Sequence, residues 1–271
     1  MARGVLEAVL RRDRAVVAAA LVVIVVLAWA DVLWLAADMD MGGMDMRGWR
    51  MVPAGIGLMA PAAAPWSGPE FALVFAMWAV MMVGMMTPSA APMLLLYARA
   101  VRQDAAAGRP YAATGWFAAG YFVPWLGFSL AATLVQWALD RAALLDARMA
   151  SASAPVGAAV LVAAGIWQWT PLKDACLAQC RTPLGFLLRH GGLRRDVRGC
   201  LRLGILHGAY CVGCCWILMA LLFVVGVMDP RWIALLALLV LVEKLVPWGR
   251  AVARGVGVAC VAAGAWMLTW P

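Results

Sequence analysis

Three cysteines and a histidine, His207, Cys211, Cys214 and Cys215, stand together inside LRLGILHGAYCVGCCWILMALLFVVGVM (201–228), an apolar stretch long enough to cross a bilayer as one helix. At about 100° per residue, positions 207, 211 and 214 fall on one stripe, with Cys215 at its edge. Ionisable groups at membrane depth are costly and mark functional sites. Thiols beside an imidazole make a soft nitrogen and sulfur ligand set, which suits Cu(I) first and zinc second. Two other readings stand beside ligation. A helix-buried cysteine also serves as a small apolar side chain, and the Cys211-x-x-Cys214 spacing also suits thiol–disulfide exchange.

Further soft donors lie elsewhere. In FALVFAMWAVMMVGMMTPSAAPM (71–93), Met77, Met81 and Met85 recur every fourth residue, with Met82 and Met86 on the neighbouring face. Each thioether binds a soft ion without losing a proton, and a row of weak sites lets the ion move on; packing alone would give the same spacing. The segment MDMGGMDM sets Met39, Met41, Met44 and Met46 among Asp38, Asp40 and Asp45. Such a mixture can gather a cation where free thiols do not last. Cys176 and Cys180 are one helical turn apart between Lys173 and Arg181, whose charges favour thiolate; they read as a release site, a resolving pair or a solvated turn. Cys200 and Cys260 stand alone and are assigned to packing. Glu243 and Lys244 project about 100° apart, so they meet different partners. Lys244 is expected to snorkel to the interface. Glu243 needs a cation, a proton or a donor, and joins the candidate metal residues.

The elements that must position these groups are helices in lipid. Of 271 residues, 66% are apolar and the mean hydropathy is +0.88, outside the balance of a soluble globular domain. Apolar runs at about 15–36, 71–98, 112–139, 154–170, 201–228, 231–246 and 251–270 predict an all-α, polytopic transmembrane helix bundle of about seven spans. The formal charge is +8. With a cytoplasmic N-terminus, only Arg47, Arg50, Arg141, Arg148 and Arg231 of the 22 basic residues fall outside. That is a positive-inside pattern, which encodes orientation and contact with lipid and does not call for nucleic acid. Residues 11–30 also resemble a secretory signal ending at Ala28-Trp29-Ala30, but apolar residues continue through Leu35, which suits a retained helix.

Three segments organise the chain: a basic N-terminus and first helix (1–36), an outer loop rich first in Met and Asp and then in Pro, Ala and Gly (37–70), and a membrane domain (71–270) holding an inner cysteine-containing loop (171–200). Gly and Pro allow only short helices in that inner loop. Pro88 and Pro92 make the second span the one expected to break. Cysteines at the inner face point to ligation or redox use ahead of a disulfide framework. No P-loop, dinucleotide fingerprint or H-E-x-x-H helix is present, so nothing couples the chain to a nucleotide.

MWAVMMVGMMTPSAAP (77–92), PLKDACLAQCRTP (171–183), CVGCCWILM (211–219) and EKLVPWG (243–249) together resemble a bacterial family of predicted metal-binding integral membrane proteins, a domain of unknown function sometimes labelled copper chaperone. The resemblance covers about residues 70–270. It implies that Met77, Met81, Met82, Met85, Met86, Cys176, Cys180, Cys211, Cys214, Cys215, Glu243 and Lys244 occupy motif positions.

The expected function is binding of a soft metal ion, Cu(I), by a multi-pass protein of the bacterial inner membrane, for delivery, transport or metalloprotein assembly. Its partners would be lipid, the ion, and a metalloprotein or periplasmic metal carrier. The rival is a membrane thiol–disulfide oxidoreductase using Cys211 and Cys214. Binding stands ahead of enzymatic use because that pair lies deep in a span and no outer loop thiol meets a substrate disulfide.

Overall fold

The computed structural model describes residues 2–39, 48–103, 110–145, 149–150, 153–194 and 196–269. Its elements are α1 (Ala2–Met39), β1 (Trp49–Met51), β2 (Met59–Pro61), α2 (Gly68–Gln103), α3 (Pro110–Arg141), α4 (Ala154–Trp167), α5 (Pro171–Arg181), α6 (Pro183–Arg189), α7 (Val197–Ala220), α8 (Leu222–Val225), α9 (Pro230–Leu245) and α10 (Gly249–Thr269). The architecture is all-α apart from one short hairpin. Among the described residues five helices are long and apolar enough to cross a bilayer: residues 15–39 of α1, α2, residues 112–141 of α3, α7 with α8, and α10. The pair α4 and α5, bent by 65°, has the length and composition of either a sixth, broken span or a re-entrant loop.

Two of the seven expected spans therefore take another form. The run expected at 154–170 stops at Trp167 after 14 residues and turns, because Thr170 caps a new helix that begins at Pro171. The run at 231–246 is a 16-residue helix, short of the roughly 20 residues that a straight crossing takes. The second span behaves differently again. Pro88 and Pro92 lie inside a continuous 36-residue helix, where the hydroxyls of Thr87 and Ser89 donate to the carbonyls of Val83 (2.6 Å) and Met86 (3.0 Å). Spanning helices tolerate proline where their surroundings accommodate the carbonyls it frees, here those of Gly84 and Pro88.

Capping chemistry fixes where the short elements start. Asp196 accepts from Gly199 N at 2.7 Å to open α7, and Asp229 accepts from Arg231 N at 2.9 Å ahead of Pro230 to open α9. Each arrangement satisfies donors that a helix start leaves free. Gly226 adopts φ +107°, the left-handed region open to glycine, and ends α8.

Packing is closest between α3 and α7. A Cβ on Gly204 or Gly208 would run into the carbonyl oxygen of Phe117 or Tyr121, so these two helices meet backbone to backbone, as small residues permit in lipid. α1 lies along α2 through buried Ala28, Val32 and Leu35. The hairpin pairs Trp49 with Pro61 and Met51 with Met59. Arg50 anchors it, donating to Glu70 at 2.6 and 3.0 Å and to the carbonyls of Pro61, Ala62 and Ala64. The bond to Glu70 raises the Arg50 pKa further.

Candidate metal centre

Cys211, Cys214 and Cys215 lie on successive positions of one α7 face, and all three are buried. The thiols of Cys214 and Cys215 donate back to the carbonyl oxygen of Cys211 at 3.1 and 2.9 Å. That bonding draws both sulfurs toward the first. A fourth thiol arrives from another helix: Cys180 of α5 lies beside Cys211 and Cys214. Cys176, one turn earlier, sits against Gly213, where a Cβ would come within 2.8 Å of its sulfur. The inner segment at 171–200 was expected to hold only short helices; it contains α5 and α6, and α5 brings Cys180 beside the α7 cluster. All seven cysteines are free.

Three further helices supply polar groups around Cys211. The ammonium of Lys244 in α9 donates to the Cys211 sulfur at 2.9 Å and to Ser89 Oγ of α2 at 3.0 Å. The Tyr121 hydroxyl of α3 lies 3.0 Å from the same sulfur. Lys244 does not snorkel: it is 5% exposed, because the thiol, the hydroxyl and its place at the inward side of α9 offer it polar partners inside the bundle.

Glu243 turns elsewhere, as adjacent helix positions must. Its carboxylate accepts from Lys173 Nζ at 2.7 Å and from Gln168 Nε2 at 3.3 Å, and Lys173 also bonds to Gln168. These three buried side chains join α9 to the α4–α5 bend. Glu243 is thus part of a closed ion-pair network beside the thiols, and its partners are protein groups.

His207 lies one turn before Cys211 and is 3% exposed. Aromatic rings enclose it, with centroids 6.2 Å away for Phe117, 5.8 Å for Tyr121 and 4.8 Å for Phe186, and its Nδ1 has no hydrogen-bond partner. Phe186 of α6 is shared with His190, 4.5 Å on. Met77, Met81 and Met85 are buried along α2, with Met82 and Met86 beside them. Cys200 accepts from the Tyr97 hydroxyl at 3.3 Å, and Cys260 packs in α10. Of the MDMGGMDM segment, Met39 ends α1 and Asp38 accepts from Gly57 N at 2.7 Å; Asp40, Met41, Met44, Asp45 and Met46 lie outside the described residues.

Among the described residues no three His, Cys, Asp or Glu side chains already surround one metal-sized point. The thiols are close but turned onto backbone and onto one another. Sequence reasoning did not find Ser89, Tyr121 or the thiol-facing role of Lys244. A signal for Ser89 was present, since it is the next member of the 77, 81, 85 series. Nothing in sequence paired Tyr121 with Cys211.

No curated protein and no solved structure shows significant similarity to the chain. A family model, PpoB2, described as copper chaperone, matches residues 75–267, a stretch that holds the α2 methionines, both cysteine groups and Lys244. By that match over most of its length, the chain belongs to this copper-chaperone family.

Proposed function

We propose that the protein binds Cu(I) within the membrane at the thiols of Cys180, Cys211, Cys214 and Cys215 and passes it on. One observation carries the reading: a buried ammonium, Lys244, lies 2.9 Å from a sulfur about which three other thiols gather. A charge in a medium of low dielectric needs a counter-charge. The thiolate of Cys211 supplies one. When Cu(I) arrives, a second thiol gives up its proton, which leaves as the ion enters; two thiolates, one copper ion and one ammonium then sum to zero, so the loaded site stays neutral at depth. Rotation of Cys214 or Cys215 off the Cys211 carbonyl frees a sulfur for the ion, and thiolates are the ligands it prefers.

The neighbouring groups extend this chemistry. Met77, Met81 and Met85 form a buried thioether face on α2 that ends at Ser89, beside Lys244. The unpartnered Nδ1 of His207 offers a nitrogen one turn beyond the thiols. The ion would move along these by ligand exchange, with no change of oxidation state. In this reading the basic connection between α6 and α7, with Arg189, Arg194 and Arg198, faces the cytoplasm, and the recipient is a metalloprotein or a metal carrier.

Copper content tests the reading. Full-length protein purified anaerobically with Cu(I) should retain the ion against a competing chelator, and the Cys211, Cys214 and Cys215 triple serine variant should lose it. Equal copper in both would sink the assignment. Free-thiol counts on the same samples separate the rival: an oxidoreductase would cycle between thiol and disulfide with no bound metal.

A further inference from the structure

A cavity of about 230 Å³ lies at the far end of α2 from Ser89, between the hairpin and α3. Its walls include Arg50, Met51, Glu70, Gln136, Asp140 and Met149. The charges divide unequally. Arg50 is committed to Glu70 through two hydrogen bonds and stands 3.9 Å from Asp140. Asp140 keeps one oxygen on the Trp66 indole at 2.8 Å. Among the described residues that line the cavity, two carboxylates face one guanidinium.

The thioethers are held in place. Gln136 accepts from the Trp78 indole at 2.7 Å, which turns its amide nitrogen onto Met149 Sδ at 3.0 Å. Met149 sits at φ +57°, a conformation that costs a non-glycine residue energy and that clusters at functional positions. Met51 is buried and lines the same cavity. Val74 lines the cavity as well. From Val74, α2 continues through Met77, Met81 and Met85, about 16 Å of helix at 1.5 Å per residue.

We propose that this cavity is a loading site for Cu(I), held by the thioethers of Met51 and Met149 with Asp140 as counter-charge, from which the ion enters the methionine face of α2. The proposal rests on the copper reading above. Thioethers suit a first contact because they bind the soft ion without deprotonation and weakly enough to give it up. The step is an exchange of neutral ligands around an ion of unchanged charge.

The test uses the full chain in detergent with Cu(I) as the probe. In the Cys211, Cys214 and Cys215 triple serine background, a weakly held copper ion should remain, and adding Met51→Leu and Met149→Leu should remove it. In the chain with its thiols intact, the same two leucines should leave the copper that resists a competing chelator unchanged and slow its loading by at least about tenfold, the lower end of what a disturbed metal site loses. Leu for Met conserves volume, so near-UV circular dichroism should not move. Residual copper insensitive to the leucines, no residual copper, or loading at the original rate would each overturn the loading site. Failure of the thiol centre reads differently: the triple serine variant would then hold as much copper as the parent.

Discussion

The ammonium of Lys244 bridges Cys211 Sγ and Ser89 Oγ, at 2.9 and 3.0 Å, and so ties α9 to both α7 and α2 at the thiols. Replacing it by methionine keeps the length and removes the charge. Lys244→Met should weaken Cu(I) binding by about 10- to 100-fold, the range seen when a ligand loses its supporting partner. Competition against a chromophoric Cu(I) chelator measures this. Unaltered affinity would show that the lysine does no more than fill space.

Backbone contact between α3 and α7 sets the Tyr121 to Cys211 distance. Gly208→Ala would push its new methyl group into the Tyr121 carbonyl, whereas Gly127→Ala meets nothing within 4 Å. The first should lower both thermal stability and copper content, with stability falling by about 1–3 kcal/mol as overpacking does. The second should change neither. Differential scanning of the two proteins in detergent decides it.

Glu243 and Lys173 form a buried pair at 2.7 Å. Removing one partner strands the other, so Glu243→Leu should cost about 3–5 kcal/mol, while Glu243→Leu with Lys173→Met should recover much of it. Copper binding by the double variant should match the parent. A loss of copper at restored stability would make Glu243 a ligand instead.

Orientation is checked without metal. Basic residues around Arg194 and Arg198 predict that the α6–α7 connection faces the cytoplasm. A phosphatase or fluorescent reporter fused after Arg198 should behave as cytoplasmic, and one inserted near Gly43 as exported. Exchanged signals would reverse the direction of loading and release.

Sequence made the helices and the thiol stripe legible, because hydropathy and a 3.6-residue period are local properties. His207, Cys211 and Cys214 share a face in the structure as their spacing requires. Convergence was not legible. Cys180 reaches Cys211 only because α4 stops at Trp167 and α5 turns through 65°, and Lys244 faces inward only because α7 presents a sulfur there. Both depend on contacts between helices far apart in sequence. The proline pair misled for a related reason: the helix runs on through Pro88 and Pro92, and what lets it do so lies in surroundings that no local pattern states.

The placement of two adjacent charges on α9 also bears on biogenesis. Glu243 and Lys244 find their partners in α5, α7 and α2, all made before α9 leaves the ribosome. A helix of 16 residues carrying both charges gains little from lipid alone. It settles only when the upstream helices have already gathered. On this geometry α9 would settle last, and a chain lacking Lys173 or Cys211 would carry an unpaired buried charge into that step.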